Sequence, residues 1–554
     1  MVQTVAQYII RQLGEWGVHT AFGLPGDSFF PLVDALAREE SVDFYAVRNE
    51  TAAGYMASAY SKISGKPALC LADGGPGGVN LLNGLFDATN DGVPVIALTG
   101  QVERRRMFTS YIQSSNQNDI FKEATIFSAT VLVPEMAGQL LERAYKEAVA
   151  GSKAVHLAIP KDVQSMEYKG AIIPPPVFKY PVPKPDFREI SEAVRLLDSA
   201  ERPVILAGYG TRGLGDAVTA LAEKIGSGII VSSVAKGAVS EWHPLVVGVL
   251  GEAGNEPARK IVQAADLILI LGSTWWPEEF MPEDIQVIQV DINPKNLGAG
   301  KNVTVGILGD TREVLPLLAG ESRGNINYQW VDEVRMAKRE RDSSIEALSQ
   351  EEMFPVHPAR LMLALERVVP ENAVVTVDTG DITLWFTSHF RAAYQDVILS
   401  GMWRAMGFGL PAALGTKAAV PDRPVIAICG DGGMGELLSE LATAAQYKLP
   451  VVVVVASNGS WALEGYKQII DGFTPAGVGF SQIDFAAAAV AMGVDAAPVG
   501  SARELEPVLE EAFASGKPYL INVPTAAIPA PELAGRMSVP GFKPLDFRYT
   551  DRPI

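Results

Sequence analysis

Val425-Ile426-Ala427-Ile428-Cys429-Gly430-Asp431-Gly432-Gly433, followed by the run Val451 to Val455 and then Ser457-Asn458-Gly459, is the stretch that decides the fold. Both apolar runs are short and β-branched, the composition of buried parallel strands. Residues 436–447 between them read as a helix, which completes a βαβ unit. Asp431 then leaves the tip of one strand and Asn458 the tip of the next. Strand tips are where open α/β sheets bind ligands. A carboxylate oxygen and an amide oxygen meeting there suit Mg²⁺ that also holds a diphosphate. The glycines let backbone N–H groups approach phosphate. Gly-Asp-Gly alone is a common turn; joined to an Asn 27 residues later, after a second strand, it is far more specific.

Size and composition set the outer limits. A chain of 554 residues exceeds one core and predicts about three domains. With 48% hydrophobic and 20% charged residues it has an ordinary globular mix. The net charge of -18 speaks against a nucleic-acid partner, and Arg104-Arg105-Arg106 reads as a solvated loop. Cys70 and Cys429 are the only cysteines, both in apolar runs, which predicts a reducing, cytoplasmic location without disulfides or Cys-based metal sites. No apolar run is long enough to span a bilayer, so no integral membrane contact is expected. The N-terminus lacks the basic region of a signal peptide; Thr4 instead caps a helix over 6–16.

Six prolines between Pro174 and Pro185 predict an extended linker, and 319–327 is a second break. Short apolar strands are expected at 68–72, 93–99 and 154–159, then at 203–207, 228–232, 267–271 and 286–291. A last group is expected at 373–377, 425–429, 451–455 and 519–523. Each group alternates with helical periodicity. The fold class is therefore α/β, as three doubly wound parallel-sheet domains at 1–173, 187–320 and 345–530, with a tail at 531–554. Prolines at 524, 529, 531, 540, 544 and 553 bar a long amphipathic helix from that tail.

The Asp431–Asn458 pattern resembles the thiamine diphosphate (ThDP) motif. The resemblance implies Mg²⁺ ligation by Asp431, Asn458 and the backbone oxygen of Ser460; Ser457 stands where the family usually has a first Asn. A second constellation sits in the first domain. Arg48-Asn49-Glu50 follows an apolar strand and opens a helix over 51–62, and Gly74-Gly75-Pro76-Gly77-Gly78 opens another from Val79. A lone Glu there would be a helix-start carboxylate favoured by the dipole. ThDP chemistry, however, needs a carboxyl group at the aminopyrimidine, and an apolar pocket that raises its pKa suits proton sharing.

The whole chain is similar to the pyruvate oxidase and acetolactate synthase branch of ThDP enzymes. The matching segments are GLPGDS at 23–28, RNE at 48–50, GGPGGVN at 74–80, TGQV at 99–102, IPKDV at 159–163 and MGFGLPAALG at 406–415. Asn49 replaces the family's usual His, and Ile112-Gln113-Ser114 stands for its Phe-Gln-Glu. The resemblance implies Glu50 and Gln113 as catalytic residues. It implies Pro25, Gly26, Pro76, Asn80, Gly380, Met406, Gly432 and Gly433 around ThDP, Met406 being the apolar residue that bends the cofactor. It also implies that Glu50 and Asp431 meet only across a dimer interface, in a homo-oligomer built as a dimer of dimers.

The middle domain decides the subgroup. Gly208, Gly210, Gly272, Ser273, Asp291, Ile292 and Asp310 all stand at strand ends, where ribose and adenine are recognised, though such acids also cap helices. Residues 271–298 resemble the FAD-binding domain of pyruvate oxidases, and the synthases' Asp-Asp-Arg near 275–277 is missing. None of the five His residues lies in a cofactor motif. After Asn458, Glu464 and Lys467 share a helix face, as a surface pair or a substrate contact. The resemblance favours oxidative decarboxylation of pyruvate or another 2-oxo acid, FAD taking the electrons and a quinone or oxygen reoxidising it. The alternatives are an acetolactate synthase-type carboligase with structural FAD and a non-catalytic ThDP-binding protein, the last disfavoured by intact Glu50, Asp431 and Asn458.

Overall fold

The computed structural model describes residues 3–176, 182–274, 280–299 and 302–537. Three six-stranded parallel sheets carry it, as expected. In the first, the strands lie in the order Asp43–Ala46, Thr20–Gly23, Ala68–Ala72, Val95–Gln101, Ala154–Pro160, Phe127–Thr130, which is 2-1-3-4-6-5 along the chain. The third repeats that order with Asp396–Ile398, Val374–Val377, Val425–Gly430, Val451–Ser457, Tyr519–Pro524 and Asp495–Pro498. The middle sheet differs. Val246–Val249, Gly228–Val231, Pro203–Ala207, Leu267–Leu271, Gln286–Asp291 and Val305–Leu308 give 3-2-1-4-5-6, the order of dinucleotide-binding sheets. Their continuous apolar sequences follow from burial on both faces: Val451–Ser457 and Leu267–Leu271 are buried throughout.

Element ends show where local chemistry overrides periodicity. Thr4 caps Val5–Glu15 through a reciprocal box with Gln7. The helix expected from Val79 starts at Pro76, because proline suits a first helical position that needs no N–H donor. The helix expected over 436–447 is two helices, Asp431–Glu436 and Glu440–Tyr447. The first begins at the strand tip itself, so the glycines are its opening turn. The second is turned so that Glu440 reaches back to the first domain. Residues 322–327 form the second break, and Tyr328–Ser349 then crosses from the middle to the third domain. Its Trp330 Nε1 donates to the Pro203 carbonyl at 3.1 Å. Of the proline-rich linker, 177–181 lie outside the described residues. Of the tail, 538–554 do, after the short helix Pro531–Arg536.

The first and third domains share one core, in which Met56, Ala57 and Leu85 pack with Phe408, Ala412 and Leu441. Equivalent helices, Glu50–Ser64 and Gly409–Ala419, cross so closely that a Cβ on Gly415 would lie 2.1 Å from the Met56 carbonyl oxygen. The contact is clamped twice. Glu440 Oε1 accepts the backbone N–H of Arg48 and of Asn49, both at 3.0 Å. Asp91 accepts those of Gly401 and Met402, both at 2.8 Å. Lys62 joins Asp87 and Asp91 at 2.7 Å each and donates to the Leu399 carbonyl. Burial opposes the Lys62 charge, but the two carboxylates outweigh it and hold its pKa above the ordinary value.

Glu440→Ala strands two N–H donors at this contact and is expected to cost about 1–3 kcal/mol. Glu440→Gln keeps an acceptor oxygen and is expected to cost less. Urea unfolding of both variants checks this, and equal losses would show that the clamp contributes only packing.

Candidate active site

The tips of Val374–Val377, Val425–Gly430 and Val451–Ser457 open on a cavity of about 270 Å³. Gly380, Met406, Asp431, Gly432, Gly433, Asn458 and Ser460 all line it, so the structure brings these seven sequence-selected residues together. Asp431 is 4% exposed. Its Oδ1 accepts the Gly432 N–H at 3.0 Å and its Oδ2 the Gly459 N–H at 2.6 Å. Burial pushes its pKa up to about 6 against the pull of those donors. The Asn458 side-chain oxygen accepts from the Ser460 N–H and hydroxyl, both at 3.0 Å, which folds 458–460 into a tight turn beside the carboxylate. Side chains would block the cradle: a Cβ on Gly432 would sit 2.1 Å from the Trp461 ring, and one on Gly433 2.6 Å from Asp378 Oδ2. The Asp431 carboxylate and Asn458 amide oxygen, with the Ser460 carbonyl, would make a hard-oxygen donor set of the kind that suits Mg²⁺. Among the described residues no cluster of three or more His, Cys, Asp or Glu offers another metal site.

The first-domain group stands apart, since none of Pro25, Gly26, Glu50, Pro76, Asn80 and Gln113 lines that cavity. Glu50 begins the helix Glu50–Ser64, capped by Asn49, and is 8% exposed. Asn80 Nδ2 donates to its Oε2 at 3.0 Å, and a Cβ on Gly77 would lie 2.9 Å from its Oε1. Gln113 is exposed, holds the left-handed conformation at φ +59° and packs against Gly75, beside Pro76. Pro25 and Gly26 sit on the neighbouring loop, where Gly26 meets the Asp73 side chain so closely that no Cβ would fit.

In the middle domain, Gly208, Gly210, Gly272 and Ser273 converge where the strand order reverses. A Cβ on Gly208 would be 2.4 Å from the Gly272 carbonyl oxygen, and the Gly210 N–H donates to that oxygen at 3.0 Å. Ser232 Oγ, at the next strand end, is buried without a partner among the described residues. These are features that fit a dinucleotide at the switch point. Asp291 is occupied by the Asn293 N–H and the Asn296 amide, and Asp310 caps Thr311–Glu321 through the Arg312 N–H. Ile292 is exposed. Residues 275–279, part of the segment that resembles the oxidases, lie outside the described residues.

Sequence reading passed over several groups. Asp381 opens the helix after Gly380, lines the cavity and, among the described residues, keeps Oδ1 buried without a partner; burial lifts its pKa to about 8. Asp378, 1% exposed, is lifted by burial to about 7. Both follow a strand tip, the same signal that selected Asp431. No His lines the cavity. His156 is buried between Thr99 and Ser128, and burial lowers its pKa to about 3. Glu464 and Lys467 line the cavity and pair at 3.6 Å. Arg104 pairs with Asp162, and Arg105 with Glu103, as a loop cluster would.

Comparison with known proteins agrees with this division. The thiamine pyrophosphate enzyme N-terminal TPP binding domain matches residues 3–120, the central domain 190–318 and the C-terminal TPP binding domain 378–523. YdaP of Bacillus subtilis, named as a thiamine pyrophosphate-containing protein, is 31% identical over 94% of this chain and 91% of its own. The acetolactate synthase isozyme 1 large subunit of Escherichia coli is 30% identical over 94% and 93%. The pyruvate oxidase of Lactiplantibacillus plantarum is 28% identical over 93% and 87%. The chain belongs to the thiamine pyrophosphate enzyme family, whose relatives here act on both sides of the oxidase–synthase divide.

Asp431→Ala and Asn458→Ala should each abolish tight ThDP–Mg²⁺ binding, read by calorimetry. In the parent, affinity should rise with pH through about 6, because the metal must displace the proton that burial favours on Asp431. For Asp381, the folded chain holds a proton between the ordinary 3.8 and about 8 that the unfolded chain releases. Its contribution to stability is therefore largest in acid and is lost as pH rises through about 8. Asp381→Asn should match the cofactor-free parent near pH 4 and exceed it by about 1–3 kcal/mol at pH 8.5, measured by urea unfolding. A gap that does not change with pH would contradict this.

Proposed function

We propose that the protein catalyses ThDP- and Mg²⁺-dependent oxidative decarboxylation of a 2-oxo acid, pyruvate in the simplest case, with FAD as the first electron acceptor. One observation carries the redox half of this reading. The cavity that holds Asp431 and Asn458 is also lined by Ser233, Val234, Glu252 and Ala253. These follow the middle-domain strands Gly228–Val231 and Val246–Val249. A dinucleotide bound at the ends of a 3-2-1-4-5-6 sheet would thus face the space where decarboxylation takes place.

The chain's own residues divide the work. Asp431, Asn458 and the Ser460 carbonyl would hold Mg²⁺ and with it the diphosphate, while Gly380, Gly432 and Gly433 leave room for it. Glu50, oriented by Asn80, would hold a proton at the aminopyrimidine, and Met406 would support the cofactor's bend. Gln113, with Pro25, Gly26 and Pro76, would border the other end. ThDP, when bound, supplies the electron sink for loss of CO₂. Gly208, Gly210, Gly272, Ser273, Asp291, Ile292 and Asp310 would hold FAD, which a quinone or oxygen reoxidises. Because Glu50 does not line the cavity that holds Asp431, a second copy would supply the missing half, in a homodimer with two sites and a tetramer of two such dimers. The reading includes a cytoplasmic location, which two buried free cysteines suit, and no nucleic-acid partner.

The second reading, a carboligase of acetolactate synthase type with structural FAD, is favoured by the synthase relative at 30% identity. One experiment separates them. Protein loaded with ThDP, Mg²⁺ and FAD is mixed with pyruvate without air, and the flavin absorbance is followed by stopped flow. Bleaching at the rate of turnover is expected. A flavin that stays oxidised while acetolactate accumulates would establish the carboligase.

A further inference from the structure

Arg404 has the left-handed backbone conformation at φ +53°, which disfavours any side chain with a Cβ by about 1 kcal/mol or more. Its surroundings impose that conformation. On one side the Gly401 and Met402 N–H groups are fixed on Asp91. Between them Trp403 stacks on Phe86 at 4.4 Å, and on the other side the Ala405 N–H donates to Ser400 Oγ at 2.9 Å. Glycine would relieve the strain, yet the chain carries its largest cationic side chain there.

Arg404 is exposed and lines the cavity two residues before Met406. Among the described residues it has no hydrogen bond, ion pair or ring contact. The cavity's other cation, Lys467, is paired with Glu464 at 3.6 Å, and Glu252 of the cavity is paired with Arg536 at 3.4 Å. Among the described residues Arg404 is thus the uncommitted cation of a cavity read here as a 2-oxo acid site. A guanidinium presents a planar fork of donors that matches a carboxylate on two oxygens.

We propose that Arg404 is a specificity-determining residue that binds a carboxylate of the 2-oxo acid substrate, its left-handed backbone being the means of aiming the guanidinium into the cavity. This rests on the proposed 2-oxo acid activity. The carboxylate is either the one beside the carbonyl or a second one at the far end of a dicarboxylic acid.

The test uses the protein loaded with ThDP, Mg²⁺ and FAD, with a quinone analogue as electron acceptor for turnover, and two unreactive amide isosteres, oxamate for pyruvate and oxalylglycine for 2-oxoglutarate. Binding is read from tryptophan fluorescence, and KM and kcat are measured with the corresponding acids. Arg404→Gly relieves the backbone and should melt no lower than the parent, with ThDP affinity retained; Arg404→Gln removes only the charge. Both are expected to raise Kd and KM by 10-fold or more and to move kcat less. Weakening of both isosteres places Arg404 on the carboxylate beside the carbonyl, and weakening of oxalylglycine alone places it on the distal one. Parent-like Kd values, within twofold for both isosteres in both variants, would overturn the assignment of Arg404 and leave the 2-oxo acid reading intact. A parent protein that binds neither isostere and turns over neither acid would overturn that reading and this one together.

Discussion

The architecture depends on a reciprocal clamp between two domains of like topology. In each, the helix region after the third strand supplies a carboxylate, and that carboxylate accepts two backbone N–H groups from the other domain's loop after its second strand. Glu440 holds Arg48 and Asn49; Asp91 holds Gly401 and Met402. Those loops carry chemistry. The first leads directly into Glu50 and the second carries Arg404 and Met406. The clamp therefore fixes the start of both helices that cross at Gly415, and with them the positions of side chains that no strand could place.

The duplication also shows how one backbone plan is turned to two uses. The third strand of each domain ends in Asp-Gly-Gly, Asp73-Gly74-Gly75 in the first and Asp431-Gly432-Gly433 in the third. Asp73 Oδ1 accepts from the N–H and hydroxyl of Ser28 and from the Gly74 N–H, so that carboxylate is spent on tying two loops together. Asp431 accepts only backbone donors and borders a cavity. The difference lies in what faces the strand tip: a serine on the loop after the first strand in one domain, and Asp378-Thr379-Gly380 in the other. The second loops differ too, three residues at 47–49 against ten at 399–408, and that extra length brings Arg404 and Met406 to the cavity.

The strands were legible because parallel strands buried on both faces must be short, apolar and β-branched, and those at 203–207, 267–271 and 286–291 fall where expected. Helix starts were less so. Periodicity cannot register Pro76 or the glycines after Asp431 as helical, since their contribution is conformational and not apolar. Of the site, the glycine-flanked Asp431 and the Asn after the next strand stand out in one dimension. Glu440 does not: its partner Arg48 is 392 residues away in the chain, and an isolated Glu on a helix looks like any solvated face. Asp378 and Asp381 were missed for a related reason, since an acid after a strand reads as a helix cap until one buried oxygen is seen to lack a partner among the described residues, Oδ2 of Asp378 and Oδ1 of Asp381. Arg404 carries no signal in sequence at all, because its peculiarity is a backbone angle.

The three acids around these strand tips explain how the cavity can accept a cofactor bearing several negative charges. Burial raises the pKa of Asp378, Asp381 and Asp431 alike. Asp381 and Asp431 line the cavity, and were both ionised a diphosphate there would face like charge. Asp431 is shifted least, to about 6, because the N–H groups of Gly459 and Gly432 favour its charged form, so near neutral pH it is the acid ready to meet a divalent cation. Asp381, at about 8, has no such donors on its buried oxygen and holds its proton under the same conditions. A protonated carboxyl is a donor and not a repelling charge. Burial lifts both acids, but the backbone N–H groups that the glycine turns direct at Asp431 pull it back toward the charged form, and among the described residues none reaches the buried oxygen of Asp381.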